Sequence, residues 1–217
     1  MGRNSKKLTT KFCGFSLTEL LIVITVIGVF SGLLFPIGQK IVTKARMSCD
    51  AQNLRQIALS YRLVIENQEK LIQITSINDW AIFLAQNGGI NDPQCYSSRL
   101  SLPSKCKKII DRSGVPENDF LQLTSDWVCL SPLPLDAPVE TTPLLFSRGL
   151  DALTGKWTEK SLYGIQGGYI VFLDGHVQFY HNLNQELTHY ITGRTTSNIQ
   201  EAVPAYTHAY DSSGQLW

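Results

Sequence analysis

Eighteen consecutive residues without a charge, Leu20 to Ile37, follow a basic head and begin directly after a lone carboxylate, Glu19. As a helix rising 1.5 Å per residue, such a run reaches about 27 Å, close to the thickness of a bilayer's hydrocarbon core. This run predicts a membrane-length helix before any globular part of the 217-residue chain. A carboxylate beside or inside such a segment is costly in lipid and needs a reason to be there.

Charge sets the orientation. Arg3, Lys6, Lys7 and Lys11 lie in the first 14 residues with no acid among them, although the whole chain has a net charge of only +1. The remaining residues hold 15 basic and 18 acidic side chains, a net charge of −3. That balance offers no broad basic surface, so nucleic acid is not expected as a partner. The basic head keeps its own end in the cytoplasm, and everything after the apolar run is expected outside the inner membrane. A cleavable secretory signal competes with this reading, but the run is too long for one and Leu34-Phe35-Pro36-Ile37 behind it is bulky. An uncleaved signal anchor fits the length and leaves Glu19 unexplained.

The decapeptide Lys11-Phe12-Cys13-Gly14-Phe15-Ser16-Leu17-Thr18-Glu19-Leu20 places a small residue between the basic head and the run, with a carboxylate five positions later. With the run that follows, it resembles the cleavage and assembly signal of type IV prepilins and type II secretion pseudopilins. The resemblance implies that a prepilin peptidase cuts after Gly14, that the new amine on Phe15 is methylated, and that the mature subunits polymerise. It makes Glu19 an assembly contact, paired with the amino terminus of a neighbouring subunit. It implies as partners the prepilin peptidase, other pilin or pseudopilin subunits, an inner-membrane assembly platform, and membrane lipid before assembly. It also implies a single-pass inner-membrane protein with a periplasmic head, and a periplasmic or extracellular filament after assembly. Secretion pseudopilus and type IV pilus both remain open. Two other classes stand beside this one: a membrane-anchored periplasmic binding module that does not polymerise and, more weakly, an anchored hydrolase.

From Gln39 the pattern becomes amphipathic. Ile41, Val42, Ala45, Leu54, Ile57, Ala58, Tyr61, Val64 and Ile65 recur at spacings of three and four, with Lys40, Lys44, Arg46, Asp50, Arg55, Arg62 and Glu66 assigned mainly to other faces. One helix is expected from about Leu17 to about Glu69. Pro36 removes a backbone hydrogen bond near its middle, and Gly28 and Gly32 weaken the same stretch, so a bend is expected there. The expected organisation is a basic leader at 1–14, a membrane or filament-core helix at 15–38, an amphipathic helix at 39–70, an α+β head at 71–190 and a polar, partly disordered tail at 191–217. The fold class is α+β, and the family resemblance implies a pilin-like lollipop, its long helix packed on a small antiparallel sheet.

Within the head, Ser76 or Asn78 caps a short helix over Asp79–Gln86 that Gly88-Gly89 stops, with Trp80, Phe83 and Leu84 buried. Trp127–Leu130 and Leu144–Phe146 read as strands. Asp174-Gly175 between two β-rich runs predicts a two-residue type I′ hairpin. In that register Phe172 faces Val177 and Ile170 faces Phe179, and the side made by these four covers the long helix. The hairpin is similar to the Asp-Gly-His segment of many bacterial prepilin-like proteins, although their leading His is replaced by Gly164.

Cys13 falls in the leader, and the even remainder, Cys49, Cys95, Cys106 and Cys129, suits an oxidising compartment. Cys95 with Cys106 is the expected disulfide. Asp92, Asp111, Asp119 and Asp126 are weak candidates for a calcium site, without a ligand loop to support it, and neither a metal nor another cofactor is expected. Asp174 and His176 are the one tempting catalytic pair; turn geometry and packing account for them better, and the head is expected not to be an enzyme. Gly-x-Ser-x-Gly, Walker and dinucleotide fingerprints are absent from the sequence.

Overall fold

A computed structural model of the chain describes residues 15–66, 74–101 and 106–217, without side chains for residues 33–39. The expected leader with Gly14, the last residues of the helix up to Glu69 and the side chain of Pro36 lie outside the described residues. The chain divides into two units, Met1–Thr43 and Lys44–Trp217. Helix α1 (Leu17–Glu66) runs through the boundary between them and is uninterrupted at Gly28, Gly32 and Pro36. Among the described residues no helix is long and apolar enough to cross a membrane; the uncharged run itself continues into residues 33–37, whose side chains are not described.

In the first unit, the large apolar side chains from Leu17 to Phe30 are exposed, Leu17 at 82%. In the second unit, the stretch of α1 from Leu54 to Val64 turns one face inward: Leu54, Ile57, Ala58, Tyr61 and Val64 are all buried. Ile41 and Val42, which the sequence pattern places on the same apolar face, lie in the first unit and are exposed there. Periodicity reports which face of a helix can be buried, and is silent on how far along its length a partner extends.

Helix α2 (Ile77–Gln86) lies against the sheet and is capped by Ser76, whose hydroxyl accepts from the Asp79 N–H at 3.2 Å. Asn78 serves elsewhere: its amide is buried and donates to the Leu121 and Leu123 carbonyls at 3.3 and 3.1 Å. Those acceptors lie at and just beyond the one-turn helix α3 (Asn118–Leu121). Trp80 stacks on Tyr61 of α1 with ring centroids 5.4 Å apart, and an edge-to-face series continues through Tyr96 to Phe120. These rings are the centre of the core, with Trp127 and Phe146 from the sheet.

Among the described residues ten strands follow: β1 (Trp127–Ser131), β2 (Pro143–Ser147), β3 (Leu150–Asp151), β4 (Lys156–Trp157), β5 (Gly168–Phe172), β6 (Val177–Tyr180), β7 (Leu187–Thr188), β8 (Thr195–Thr196), β9 (His208–Asp211) and β10 (Gly214–Gln215). Six form an antiparallel sheet in the order β10-β9-β1-β2-β5-β6; β3 pairs with β4, and β7 with β8. The fold is α+β. The polar tail is not a loose end: β9 pairs with β1, and Ala209 and Tyr210 are buried. A four-residue strand with two buried side chains is too short to leave a readable period in the sequence.

The hairpin of β5 and β6 differs from its expected register by one residue. Tyr169 faces Phe179, Ile170 faces Gln178 and Val171 faces Val177. Gly175 N–H donates to the Phe172 carbonyl at 2.9 Å, Phe172 N–H to the His176 carbonyl at 3.1 Å, and only Gly175 of the loop has a positive φ, +88°. The loop is thus three residues, Leu173-Asp174-Gly175, with glycine alone in the left-handed position; a type I′ turn would need Asp174 there too. A slip of one residue exchanges the faces of a strand. Tyr169 and Val171 share the side that meets α1, where the Tyr169 hydroxyl donates to the Met47 carbonyl at 3.0 Å. Ile170 and Phe172 are on the other side, and all of β5 is buried.

No disulfide joins Cys95 to Cys106. Cys95 is buried in the 3₁₀ turn Pro93–Tyr96, and the Cys106 thiol donates to the Lys108 carbonyl at 2.8 Å. Each sulfur is thus placed by local packing or backbone contact rather than by a covalent bridge.

Candidate functional site

At the start of α1, Ser16 is the cap. Its hydroxyl accepts from the Thr18 N–H at 3.2 Å and lies 2.5 Å from the Thr18 hydroxyl, while Glu19 reaches back to accept from the Ser16 N–H at 2.9 Å. Ser16-x-x-Glu19 is a capping box: the two side chains satisfy backbone donors that the first turn of a helix leaves open. Glu19 also favours the positive end of the helix dipole. Phe15 and Leu17 flank this polar cap and are at least four-fifths exposed. The segment thus displays an apolar stem behind one carboxylate that, among the described residues, is held by the Ser16 N–H.

In the head, the sequence candidates are spread out and engaged locally. The Asp174 carboxylate accepts from the His176 N–H at 2.9 Å and meets the ring Nδ1 at 2.6 Å, and the His176 ring stacks on Phe172 at 4.1 Å. The groove beside them is lined by Ala51, Gln52, Arg55, Gln56, Leu59 and Val177, with no hydroxyl or thiol to serve as a nucleophile. Asp92 accepts from the Gln94 N–H, Asp111 from Ser113 and Val115, and Asp126 from Ser98. Among the described residues no three His, Cys, Asp or Glu side chains converge as metal ligands.

Asp50 is the residue that sequence reasoning misplaced. Its charge and spacing assign it to the polar side of α1, yet it is fully buried. One carboxylate oxygen accepts from the Arg99 N–H at 2.9 Å; the other accepts from the Ser98 hydroxyl at 2.5 Å and the Tyr163 hydroxyl at 2.9 Å. A buried carboxylate needs this density of donors. Burial first, and the Asp50 carboxylate second, push the Tyr163 hydroxyl's pKa well above its ordinary value. The signal was available, since Asp50 stands one turn before Leu54 on the buried stripe.

Residues 9–35 match the family model of the prokaryotic N-terminal methylation motif. The chain carries the signature of type IV prepilin-like and pseudopilin proteins. No curated protein and no solved structure matches the chain. The motif spans the expected cut site Gly14–Phe15, the capping box and most of the apolar run, and stops before the head. It implies processing by a prepilin peptidase, assembly with other pilin subunits and anchoring through the N-terminal helix; proteins that bear it are structural rather than enzymatic. Within the motif, the structure places Phe15, Ser16, Thr18 and Glu19 together at the head of α1, with Gly28 and Gly32 further along it; Gly14 lies outside the described residues.

Proposed function

We propose that this chain is a structural filament subunit, cut between Gly14 and Phe15 by a prepilin peptidase and methylated on the new Phe15 amine. Before assembly, α1 anchors it in the inner membrane with the second unit in the periplasm. Afterwards it is a component of a type II secretion pseudopilus or a type IV pilus-like filament, built with an inner-membrane assembly platform. The observation that carries this reading is the methylation motif over residues 9–35, in register with Gly14, Phe15 and Glu19. The exposed apolar side chains of the first unit support it, since they need lipid or other helices to cover them.

The capping box suggests how Glu19 serves in both states. Among the described residues of a lone chain its carboxylate is met by the Ser16 N–H. A cap of this kind is worth about 0.5–2 kcal/mol. A protonated amine delivered by a neighbouring subunit into a low-dielectric helix bundle is the stronger partner. Glu19 then sets the axial register of one helix against the next.

Intact-mass and N-terminal peptide mass spectrometry, after co-expression with a prepilin peptidase, tests the reading. The expected product begins at methylated Phe15. A chain that keeps its leader, or is cut elsewhere, overturns it.

A further inference from the structure

Within the second unit a cavity of about 610 Å³ opens between α1 and the Ser97–Ser101 loop, lined by Arg46, Cys49, Gln94, Ser97, Ser98, Arg99 and Ser101. Its lining contains two cations and no acid. Among the described residues neither Arg46 nor Arg99 has an ion-pair or hydrogen-bond partner for its guanidinium. The acids nearest in the network are committed beneath the loop: Asp50 to Ser98, Arg99 N–H and Tyr163, and Asp126 to the Ser98 N–H at 2.9 Å and Arg148 at 3.4 Å. By taking the backbone donors of Ser98 and Arg99, these two carboxylates hold the loop from below and leave its side chains to the cavity. Ser97 and Ser101 line the same cavity, and no hydrogen bond within the described residues engages the Ser97 hydroxyl.

We propose that this cavity is a binding site for an oxyanion, a phosphate or carboxylate group, held by the Arg46 and Arg99 guanidiniums with hydroxyls from Ser97 and Ser101. Guanidiniums suit such groups because their planar donors match two oxygens at once. The anion completes a layered charge arrangement: buried carboxylates below, arginines between, and the ligand above. The site is independent of the N-terminal processing.

Cys49 provides the probe, being exposed in the cavity lining while Cys95, Cys106 and Cys129 are buried. In the full chain carrying Cys13→Ser, in neutral micelles, Cys49 is labelled with an anionic and with a cationic methanethiosulfonate. The anionic-to-cationic rate ratio should fall about fivefold or more in Arg46→Gln and in Arg99→Gln. Arg62→Gln, which removes a charge from the same helix outside the cavity, should leave it unchanged. Inorganic phosphate at constant ionic strength should slow labelling of the unsubstituted cavity and not of the two variants. Protection by phosphate and also by phosphatidylglycerol in the micelle identifies a lipid headgroup as a source; protection by phosphate alone identifies a free anion. A ratio equally sensitive to Arg62→Gln, or labelling indifferent to phosphate, overturns the proposal.

Discussion

Asp50 ties the helix to the loop and to the sheet side of the head through one side chain. Asp50→Ala would strand the Tyr163 and Ser98 hydroxyls and the Arg99 N–H in the interior, and should cost about 2–4 kcal/mol. Tyr163→Phe removes one of the three bonds and should cost about 1 kcal/mol. Because both changes delete the same bond, the double variant should lose less than their sum. Denaturant unfolding of the full chain in neutral micelles measures all three, and a strictly additive double variant would show that the bond carries no energy. Single residues were unevenly legible in the sequence. Ser76 is legible as a cap from its place before an apolar period, and the spacing Ser16-x-x-Glu19 is that of a capping box. Asp50 was misread because its type says surface while its position says core.

Strand pairing depends on glycines in a way that side-chain patterns do not reveal. A Cβ on Gly168, the first residue of β5, would lie 2.2 Å from the Trp157 indole nitrogen, and that ring is buried. One position earlier, Gly167 has φ +130° and brings its backbone against the Tyr180 carbonyl. Gly168→Ala should therefore push the indole out of place and cost about 1–3 kcal/mol as an overpacked site. A blue-to-red change in Trp157 emission should accompany the lower unfolding midpoint, and an unshifted midpoint would mean that the ring has room to move. The sequence showed that a hairpin was present at 169–180 and placed its loop at Asp174-Gly175. The register escaped it because both faces of β5 are buried, so alternation no longer tells inside from outside.

The whole head is built to keep its protons. Burial, then the nearby Asp92, raises the Cys95 thiol to about 11, and burial raises Cys129 well above its ordinary 9.0. Tyr61, Tyr96 and Tyr163 are raised above 10.0, chiefly by burial. These groups ionise more readily in the unfolded chain than in the folded one. Their contribution is therefore fully present below about pH 9 and is lost as pH rises, first through the thiols and then through the tyrosines. Thermal unfolding midpoints should be flat with respect to these groups near neutrality and fall from about pH 9 upward; a midpoint unchanged to pH 11 would contradict their burial. The α+β class and the order of the main elements could be read from the sequence, whereas the integration of residues 191–217 could not, since pairing between β1 and β9 spans almost eighty residues of chain. That pairing sets a timetable for synthesis. Until residues 208–211 have left the ribosome, β1 keeps an open edge that any extended segment can occupy. The nascent head must therefore wait, shielded or unfolded, for nearly its last strand before its sheet can close.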